Sequence, residues 1–365
     1  MTRRWFNRAW LFLAAALVTA PMLAMVLAPA ADGVSADELR VLAPAPAWPG
    51  TTEGWLKLPR VVDAFLDDHF GLRRALTRAR SRIMLSWFNS SSSDQVLAGT
   101  DGRLFFRGDA MIQQSAGLLV RGQALAETAD RVARIQRVLT ARGIAFLFAP
   151  APNASTIQPE SLPSWARAGG RETEYDVMLR LLRERDVPAL DLRPVLRAEA
   201  EKGSVFLTYD THWNIRGMVA GFNAIVAQAG HADWRLDPSG VFASPAPVTG
   251  GDLARMLGIA ADLKAPEPVP ILSGRPVEDP SPGRFVVLRV AGQGQGTRLL
   301  IIGDSFTGGL FPQLAALRAG HVTWVHHQRC GFDWAWIEQA RPDEIWWLPT
   351  ERLMPCALPG PVNMP

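Results

Sequence analysis

One segment of the chain places a serine where a strand meets a helix. The segment LLIIGDSFTGGL spans Leu299 to Leu310, and its apolar run leads into Gly303, Asp304 and Ser305 before a predicted helix. The Ser305 hydroxyl then lies at the carboxyl end of a strand, its own backbone N–H faces an oxyanion formed during attack, and the helix dipole favours that charge. Gly303 leaves room for a sharp turn, and Asp304 can hydrogen-bond locally. Ser305 is a candidate nucleophile, although Gly-Asp-Ser also forms ordinary capped turns.

A second segment supplies an acid and a base two residues apart. It reads YDTHWNIRGMVAG, from Tyr209 to Gly221, with Asp210 and His212 before a predicted helix. Residues i and i+2 of an extended backbone share a face, so the Asp210 carboxylate can reach one imidazole nitrogen and leave the other as a base. His212 is equally compatible with a structural role or with metal binding.

The two segments together predict a Ser-His-Asp triad. Both follow predicted strands, and ligands of α/β sheets bind at the carboxyl ends of the strands. The 93 positions between His212 and Ser305 do not count against a triad, because folding assembles such sites from distant residues.

Helices and strands alternate over most of the chain. The predicted helices are 61–88, 125–139, 172–185, a segment after Asn214, and 306–318. The predicted strands are 144–148, 187–192, 205–208, 299–302, 321–325 and 344–348. Short, continuous apolar strands between helices predict an α/β fold with a mostly parallel sheet covered on both faces. Residues 231–296 interrupt the alternation with Pro and Gly, and this insertion is either a lid or groove wall or a floppy surface loop.

The amino terminus is typical of exported proteins. Arg3, Arg4 and Arg8 precede an uncharged run from Ala9 to Ala31, long enough to span a bilayer with the amino end inside. A transmembrane anchor and a cleaved signal peptide both fit this segment. We therefore expect three regions: an anchor or signal at 1–31, a spacer and helical region at 32–95, and a catalytic domain at 96–365.

Composition excludes several classes of protein. The 365 residues are 48% hydrophobic and 20% charged, which excludes wholesale disorder and a polytopic membrane protein. The net charge of +3 comes from the three amino-terminal arginines, so the balanced body predicts no nucleic-acid partner. Cys330 and Cys356 can form a disulfide after export or stay as two free thiols, and no set of residues at zinc spacing predicts a metal site.

The sequence resembles the AlgX/AlgJ-type alginate O-acetyltransferases of the SGNH hydrolase-like superfamily. Five segments carry the resemblance, in order, from Val96 to Met354. They are VLAGTDGRLFFRGD, YDTHWNIRGMVAG, GGDLARMLG, LLIIGDSFTGGL and DEIWWLPTERLM. The resemblance implies a three-layer SGNH hydrolase-like α/β fold with Ser305 as the nucleophile, His212 as its base and Asp210 as the orienting acid.

The resemblance also implies a reaction and its partners. The expected reaction is acetyl transfer, through an acetyl-serine, onto hydroxyls of an exported polysaccharide, alginate-like or another exopolysaccharide. No cofactor is expected to be bound. A membrane acyltransferase of the MBOAT type supplies the acetyl group, and the chain works in the periplasm, anchored to the inner membrane by its amino terminus or released. Because the chain ends soon after its last motif, it resembles the shorter, anchored AlgJ type.

The remaining expectations concern the walls of the site. Asn153 stands where relatives have a lysine, and with the N–H groups of Ser305 and Gly251 it is a candidate oxyanion donor. Trp213 and Tyr209 are candidate substrate contacts, although Trp213 fits the core equally well. Two other functions stay open: a carbohydrate or acyl esterase with the same triad, and a polysaccharide-binding scaffold that has lost catalysis.

Overall fold

The structure, a computed structural model, describes residues 2–27, 33–35, 40–272, 277–279, 287–292, 296–327 and 331–355. The helices are α1 (Thr2–Leu27), α2 (Thr52–His69), α3 (Arg73–Phe88), α4 (Met111–Ser115), α5 (Gly122–Ala141), α6 (Ala154–Ile157), α7 (Glu174–Arg183), α8 (Arg193–Ala200), α9 (Ile215–Gln228), α10 (Asp252–Met256), α11 (Phe311–Ala316) and α12 (Trp334–Ala340). The strands are β1 (Val34–Ser35), β2 (Arg40–Val41), β3 (Val96–Ala98), β4 (Leu104–Phe106), β5 (Ala145–Phe148), β6 (Phe242–Thr249), β7 (Lys264–Pro270), β8 (Val277–Asp279), β9 (Val287–Ala291), β10 (Arg298–Gly303), β11 (His321–His326) and β12 (Glu344–Leu348).

The chain divides into two compact units. One unit comprises Met1–Ala98 and Thr249–Leu263, and the other comprises Gly99–Val248 and Lys264–Pro365. The second unit holds both segments in which the triad is predicted.

The second unit is built on a six-stranded mixed sheet with the order β5-β12-β10-β11-β9-β8. The first four strands are parallel. β9 and β8 run antiparallel at the other edge. The predicted α/β class is confirmed, and the parallel part contains four of the predicted strands. The sheet as a whole is mixed because β8 and β9, which no pattern predicted, extend it.

Helices cover both faces of this sheet. Adjacent residues of a strand point to opposite faces, so Trp346 and Trp347 on β12 mark the two sides. Trp347 packs in a core with residues of α5 and α7, and Trp346 lies with its ring centroid 6.1 Å from that of Phe222 on α9. All five residues of β12 are buried, which explains why the strand reads as a continuous apolar run.

Two predicted strands do not form, and two predicted helices differ from the prediction. The helix predicted over 61–88 is two helices, α2 and α3, separated by residues 70–72. Over 187–192 the backbone makes only one bridge, Phe148 with Ala189, because Pro188 contributes its carbonyl and has no N–H to continue the ladder. Residues 205–208 fold into a tight loop with a single bridge between Phe206 and Trp213. The helix predicted over 306–318 begins only at Phe311.

Part of the predicted insertion is ordered structure. β6 and β7 form a two-stranded sheet of their own, and Ile271 donates its N–H to the carbonyl of Val241 at 2.8 Å. The lid or groove-wall role of 231–296 stays a prediction. Within this segment, residues 273–276, 280–286 and 293–295 are outside the described part of the chain.

The first unit contains the amino-terminal segment and α3, a helix rich in arginine. Arg78 and Arg82 on α3 both pair with Asp262, so two of its arginines make a contact within this unit. α1 covers most of the predicted anchor or signal. Among the residues that the structure describes, none of the helices combines the length and apolar character needed to cross a bilayer. Cys330 and Cys356 are outside the described residues, so their pairing stays a prediction.

Candidate active site

The loop that carries Asp210 and His212 is closed by backbone hydrogen bonds at its base. Leu207 donates to the carbonyl of His212 at 3.1 Å, and Asn214 donates to that of Val205 at 3.0 Å. The side chain of Asn214 then caps α9 by accepting the N–H of Gly217 at 3.1 Å. This cap fixes the position at which the loop passes into the helix that the sequence predicts after Asn214.

Asp210 and His212 are brought together as predicted. His212 Nδ1 lies 2.6 Å from Asp210 Oδ1, and the same oxygen accepts the backbone N–H of His212 at 3.1 Å. Since an ionised carboxylate only accepts, Nδ1 carries the proton in this pair and Nε2 has the basic lone pair. The side chain of Asp210 is 14% exposed and that of His212 is 28% exposed, while the Nε2 atom itself is buried. The pair is an oriented base of the kind that activates a hydroxyl.

Ser305 lies in a tight turn at the carboxyl end of β10. Thr307 and Gly308 both donate their N–H groups to the carbonyl of Asp304, and Ser305 is exposed at the tip. A Cβ atom at Gly303 would lie 1.8 Å from Thr307 Oγ1, so the turn requires glycine there. α11 begins six residues after Ser305, so the expectation that its dipole stabilises an oxyanion at Ser305 is wrong. The Ser305 N–H stays a predicted oxyanion donor.

Asp304 holds this turn from inside the protein. Its Oδ1 accepts the N–H of Phe306 at 2.9 Å, and its Oδ2 accepts the N–H and the hydroxyl of Thr350 at 2.8 and 2.5 Å. Burial raises the pKa of this carboxyl. Other effects outweigh burial and hold the pKa of Asp304 well below its ordinary value. They are the hydrogen bond and charge of His327, the charge of Arg352 and the hydrogen bond from Thr350. Asp304 is therefore a buried carboxylate that fixes the Ser305 turn, as its predicted local role required.

The two loops meet at Phe306, the residue after Ser305. The ring of His212 lies 5.0 Å from the ring of Phe306, centroid to centroid, and Trp213 donates its indole N–H to the Phe306 carbonyl at 2.7 Å. Phe306 is 1% exposed, so both contacts are in the core. The structure records no hydrogen bond between Ser305 and His212 among its described residues, and their direct contact stays a prediction.

Arg352 also lies against Phe306, and sequence analysis missed it. Its guanidinium carbon is 5.3 Å from the centroid of the Phe306 ring, and its side chain is 12% exposed. An arginine over an aromatic ring is attracted by the ring's negative face. The signal in the sequence was its place in the TER triplet, which follows a predicted buried strand and Pro349 and so lies near the carboxyl edge of the sheet.

The candidate oxyanion donors are placed differently from one another. Asn153 is 1% exposed, and its backbone N–H donates a hydrogen bond to Glu351 Oε2 at 2.8 Å. Its side-chain Nδ2 lies 3.4 Å from both Gln114 Oε1 and Ser115 Oγ, within a buried polar cluster. Gly251 belongs to the other compact unit, at the start of α10. The roles of Asn153 and Gly251 as oxyanion donors stay predictions.

Glu351 is a buried acid in that cluster. Besides Asn153, it accepts the hydroxyl of Thr156 at 2.9 and 2.7 Å. Burial raises the pKa of Glu351 to about 7, and the hydrogen bonds from Asn153 and Thr156 oppose the rise. A carboxyl with such a pKa changes charge near neutral pH, so the cluster is sensitive to pH.

The two predicted substrate contacts differ in exposure. Trp213 is 2% exposed, and its indole stacks on the ring of Phe311 with 6.0 Å between the ring centroids. Its indole N–H donates to the carbonyl of Phe306. It therefore lies in the core, one of the two roles that the sequence left open for it, and it connects the two loops. Tyr209 is half-buried next to Asp210, and its contact with substrate stays a prediction.

The fold and the site define an SGNH hydrolase-like α/β protein. A sequence model of the family described as "SGNH hydrolase-like domain, acetyltransferase AlgX" matches residues 96–317, more than half of the chain. The chain belongs to this AlgX acetyltransferase family. The resemblance found in the sequence motifs is thereby confirmed at the level of the family.

Individual relatives are more distant. Over 161 residues the chain is 28% identical to the probable alginate O-acetylase AlgJ of Pseudomonas aeruginosa, covering 44% of this chain and 39% of that protein. The chain thus matches about two-fifths of the length of this curated relative. A DHHW family protein from Eubacterium siraeum has a TM-score of 0.52 at 12% identity, covering 73% of this chain and 94% of that one. Bacillus cereus PatB1 with a sulfonyl adduct has a TM-score of 0.51 at 14% identity, covering 70% and 93%. The two structures show a shared fold alone.

Proposed function

We propose that this protein is an O-acetyltransferase that carries an acetyl group on Ser305 and transfers it to a hydroxyl of an exported polysaccharide. The observation that carries the proposal is the junction at Phe306. There the Ser305 turn packs against His212, whose Nδ1 is bonded to Asp210 at 2.6 Å. Membership of the AlgX acetyltransferase family supports the choice of the acetyl group.

The reaction has two steps with one base. His212 Nε2 takes the proton of Ser305 as Oγ attacks the carbonyl carbon of the acetyl donor, and the donor's leaving group departs with that proton. A sugar hydroxyl then attacks the acetyl-serine, its proton passes to His212, and the Ser305 oxygen leaves and recovers a proton. Asp210 stabilises the imidazolium that appears in both steps.

The acceptor, the donor and the location are also part of the proposal. The curated AlgJ relative is described as a probable alginate O-acetylase, which supports an alginate-like acceptor. A membrane acyltransferase of the MBOAT type delivers the acetyl group. The basic amino terminus followed by the uncharged run supports export to the periplasm, with the segment either kept as an anchor or cleaved.

An esterase is the second candidate, and one observation favours it. Ser305 is exposed at the tip of its turn, so water can compete with a sugar for the acetyl-serine. A scaffold without catalysis is opposed by the bonded Asp210–His212 pair.

The experiment uses the purified full chain with p-nitrophenyl acetate, with and without mannuronate oligosaccharides. We expect acetylated oligosaccharide, detected by mass spectrometry, and none with Ser305→Ala. Acetate alone, at a rate that the oligosaccharide does not change, would assign the chain to the esterases. Equal turnover by the wild-type chain and Ser305→Ala would remove Ser305 from the mechanism.

A further inference from the structure

A buried carboxylate outside the sequence motifs lies against the loop of Asp210 and His212. Glu267 is on β7 and is 3% exposed. Its Oε1 accepts both the backbone N–H and the hydroxyl of Thr208 at 2.7 Å, and its Oε2 lies 3.5 Å from Asn214 Nδ2. Thr208 precedes the pair and Asn214 follows it. One carboxylate therefore holds both flanks of the loop.

The segment that leads into the loop, residues 204–207, is fixed separately by Arg103. Its side chain donates to the carbonyls of Phe206 and Leu207 at 3.2 and 3.0 Å and to Ser204 Oγ at 2.8 Å. Burial lowers the pKa of Arg103, and the negative charges of Asp101 and Glu267 oppose this effect. Glu267 and Arg103 are thus oppositely charged buried groups that act on neighbouring parts of one short segment.

The loop needs such support because its own geometry is demanding. The 2.6 Å contact between His212 and Asp210 depends on the path of only five residues between Thr208 and Asn214. A misplacement of about 1 Å in a catalytic group can cost about 10²-fold in rate. A buried acid is expensive unless donors compensate it, and three donors of this loop do so for Glu267.

We propose that Glu267 is a positioning residue, which sets the Asp210–His212 geometry through Thr208 and Asn214. The expected loss of kcat rests on the proposed function, whereas the effect on the Asp210–His212 geometry does not. Glu267 lies in the Pro-rich segment that the sequence left open as a lid, a groove wall or a loose loop. In this proposal β7, which belongs to that segment, holds the loop of Asp210 and His212 in place through Glu267.

The chain offers a matched control in Glu344. It is 5% exposed and accepts two short hydrogen bonds, from His231 Nε2 at 2.6 Å and Trp346 Nε1 at 2.7 Å. Glu344 begins β12 and so lies at the amino end of the parallel strands, whereas Ser305 follows their carboxyl end. Glu344→Gln therefore reproduces the chemical change of Glu267→Gln without touching the loop.

The test compares Glu267→Gln and Glu344→Gln in the full chain. Each is measured by urea unfolding, by kcat and KM with p-nitrophenyl acetate, and by the low-field proton NMR signal of His212 Nδ1–H, which His212→Ala identifies. We expect both variants to lose stability. Only Glu267→Gln lowers kcat, by about 10- to 100-fold with little change in KM, and shifts or abolishes the low-field signal.

Other outcomes are decisive. A Glu267→Gln variant that keeps the wild-type signal and kcat, or that loses no more kcat than Glu344→Gln, would show that Glu267 only stabilises the fold. If Glu267→Gln does not fold, Thr208→Val replaces it, and it must lower kcat or shift the signal for the proposal to stand. If the wild-type chain turns over no ester, the proposed function fails while the NMR comparison still tests the positioning role.

Discussion

The hydrogen bond donated by the indole N–H of Trp213 joins the two loops of the site. The substitution Trp213→Phe removes this bond. The bond reaches the Phe306 carbonyl at 2.7 Å in the core. A buried carbonyl left without its donor costs about 1–3 kcal/mol. The smaller ring also leaves a cavity, so the total loss of stability exceeds the contribution of the bond.

Trp347→Phe separates the two contributions. Trp347 is also 2% exposed and packs against two aromatic rings, Phe148 and Phe332, but its Nε1 has no hydrogen-bond partner among the described residues. It therefore loses a similar ring volume and no bond. We expect Trp213→Phe to be less stable than Trp347→Phe by about 1–3 kcal/mol.

The assay is urea unfolding followed by circular dichroism, together with ester turnover. Because the Trp213 bond holds the carbonyl next to Ser305, Trp213→Phe should also lose at least about tenfold in kcat, while Trp347→Phe keeps most of its activity. Equal losses of stability within about 0.5 kcal/mol, with equal activities, would refute the reasoning that this bond aligns the loops.

Three further predictions concern buried and catalytic acids. Burial raises the pKa of Glu351 from 4.5 to about 7, so the folded state retains a proton that the unfolded chain releases, and stability falls as pH rises through this window. This fall amounts to about 3 kcal/mol in the free energy of unfolding, and Glu351→Gln should remove it. Urea unfolding measured at several pH values checks this. The pKa of Asp304 is held below its ordinary 3.8, so its stabilisation is present above that pH and lost in acid. Asp304→Asn should therefore be less stable than wild type at neutral pH, and the gap in unfolding free energy should narrow as pH falls. Asp210→Asn should lower kcat for ester turnover by about 10³- to 10⁴-fold with the fold intact, and unchanged kcat would exclude Asp210 as the orienting acid.

The parallel strands could be predicted because burial on both faces leaves an unmistakable apolar run. β10 and β12 are buried almost throughout, and their sequences show it. The segment 205–208 has the same apolar character, but its backbone and side chains bond mainly to His212, Arg103 and Glu267. A strand contributes one bond, from the N–H of Leu104 on β4 to the Thr208 carbonyl at 3.0 Å. Composition alone does not distinguish these two situations.

The site was predictable where its chemistry lies within one short segment. The Asp210–His212 pair is local, and its spacing determines the contact. The start of α11 was missed because Gly309, with φ +61°, breaks the predicted helix and Pro312 favours a new start. Glu267 reaches the site from β7, and Arg352 reaches it from the helical turn after β12. A charged residue in a polar-looking segment gives no signal that it is buried.

The most direct measurement of the central claim is covalent trapping of the nucleophile. The full chain is treated with methylsulfonyl fluoride, and the adduct is located by peptide mass spectrometry in the wild-type chain and in His212→Ala. We predict a single sulfonyl group on Ser305 that forms much more slowly without His212. An adduct on another residue, or equal labelling of Ser305 in both proteins, would contradict a site in which His212 activates Ser305.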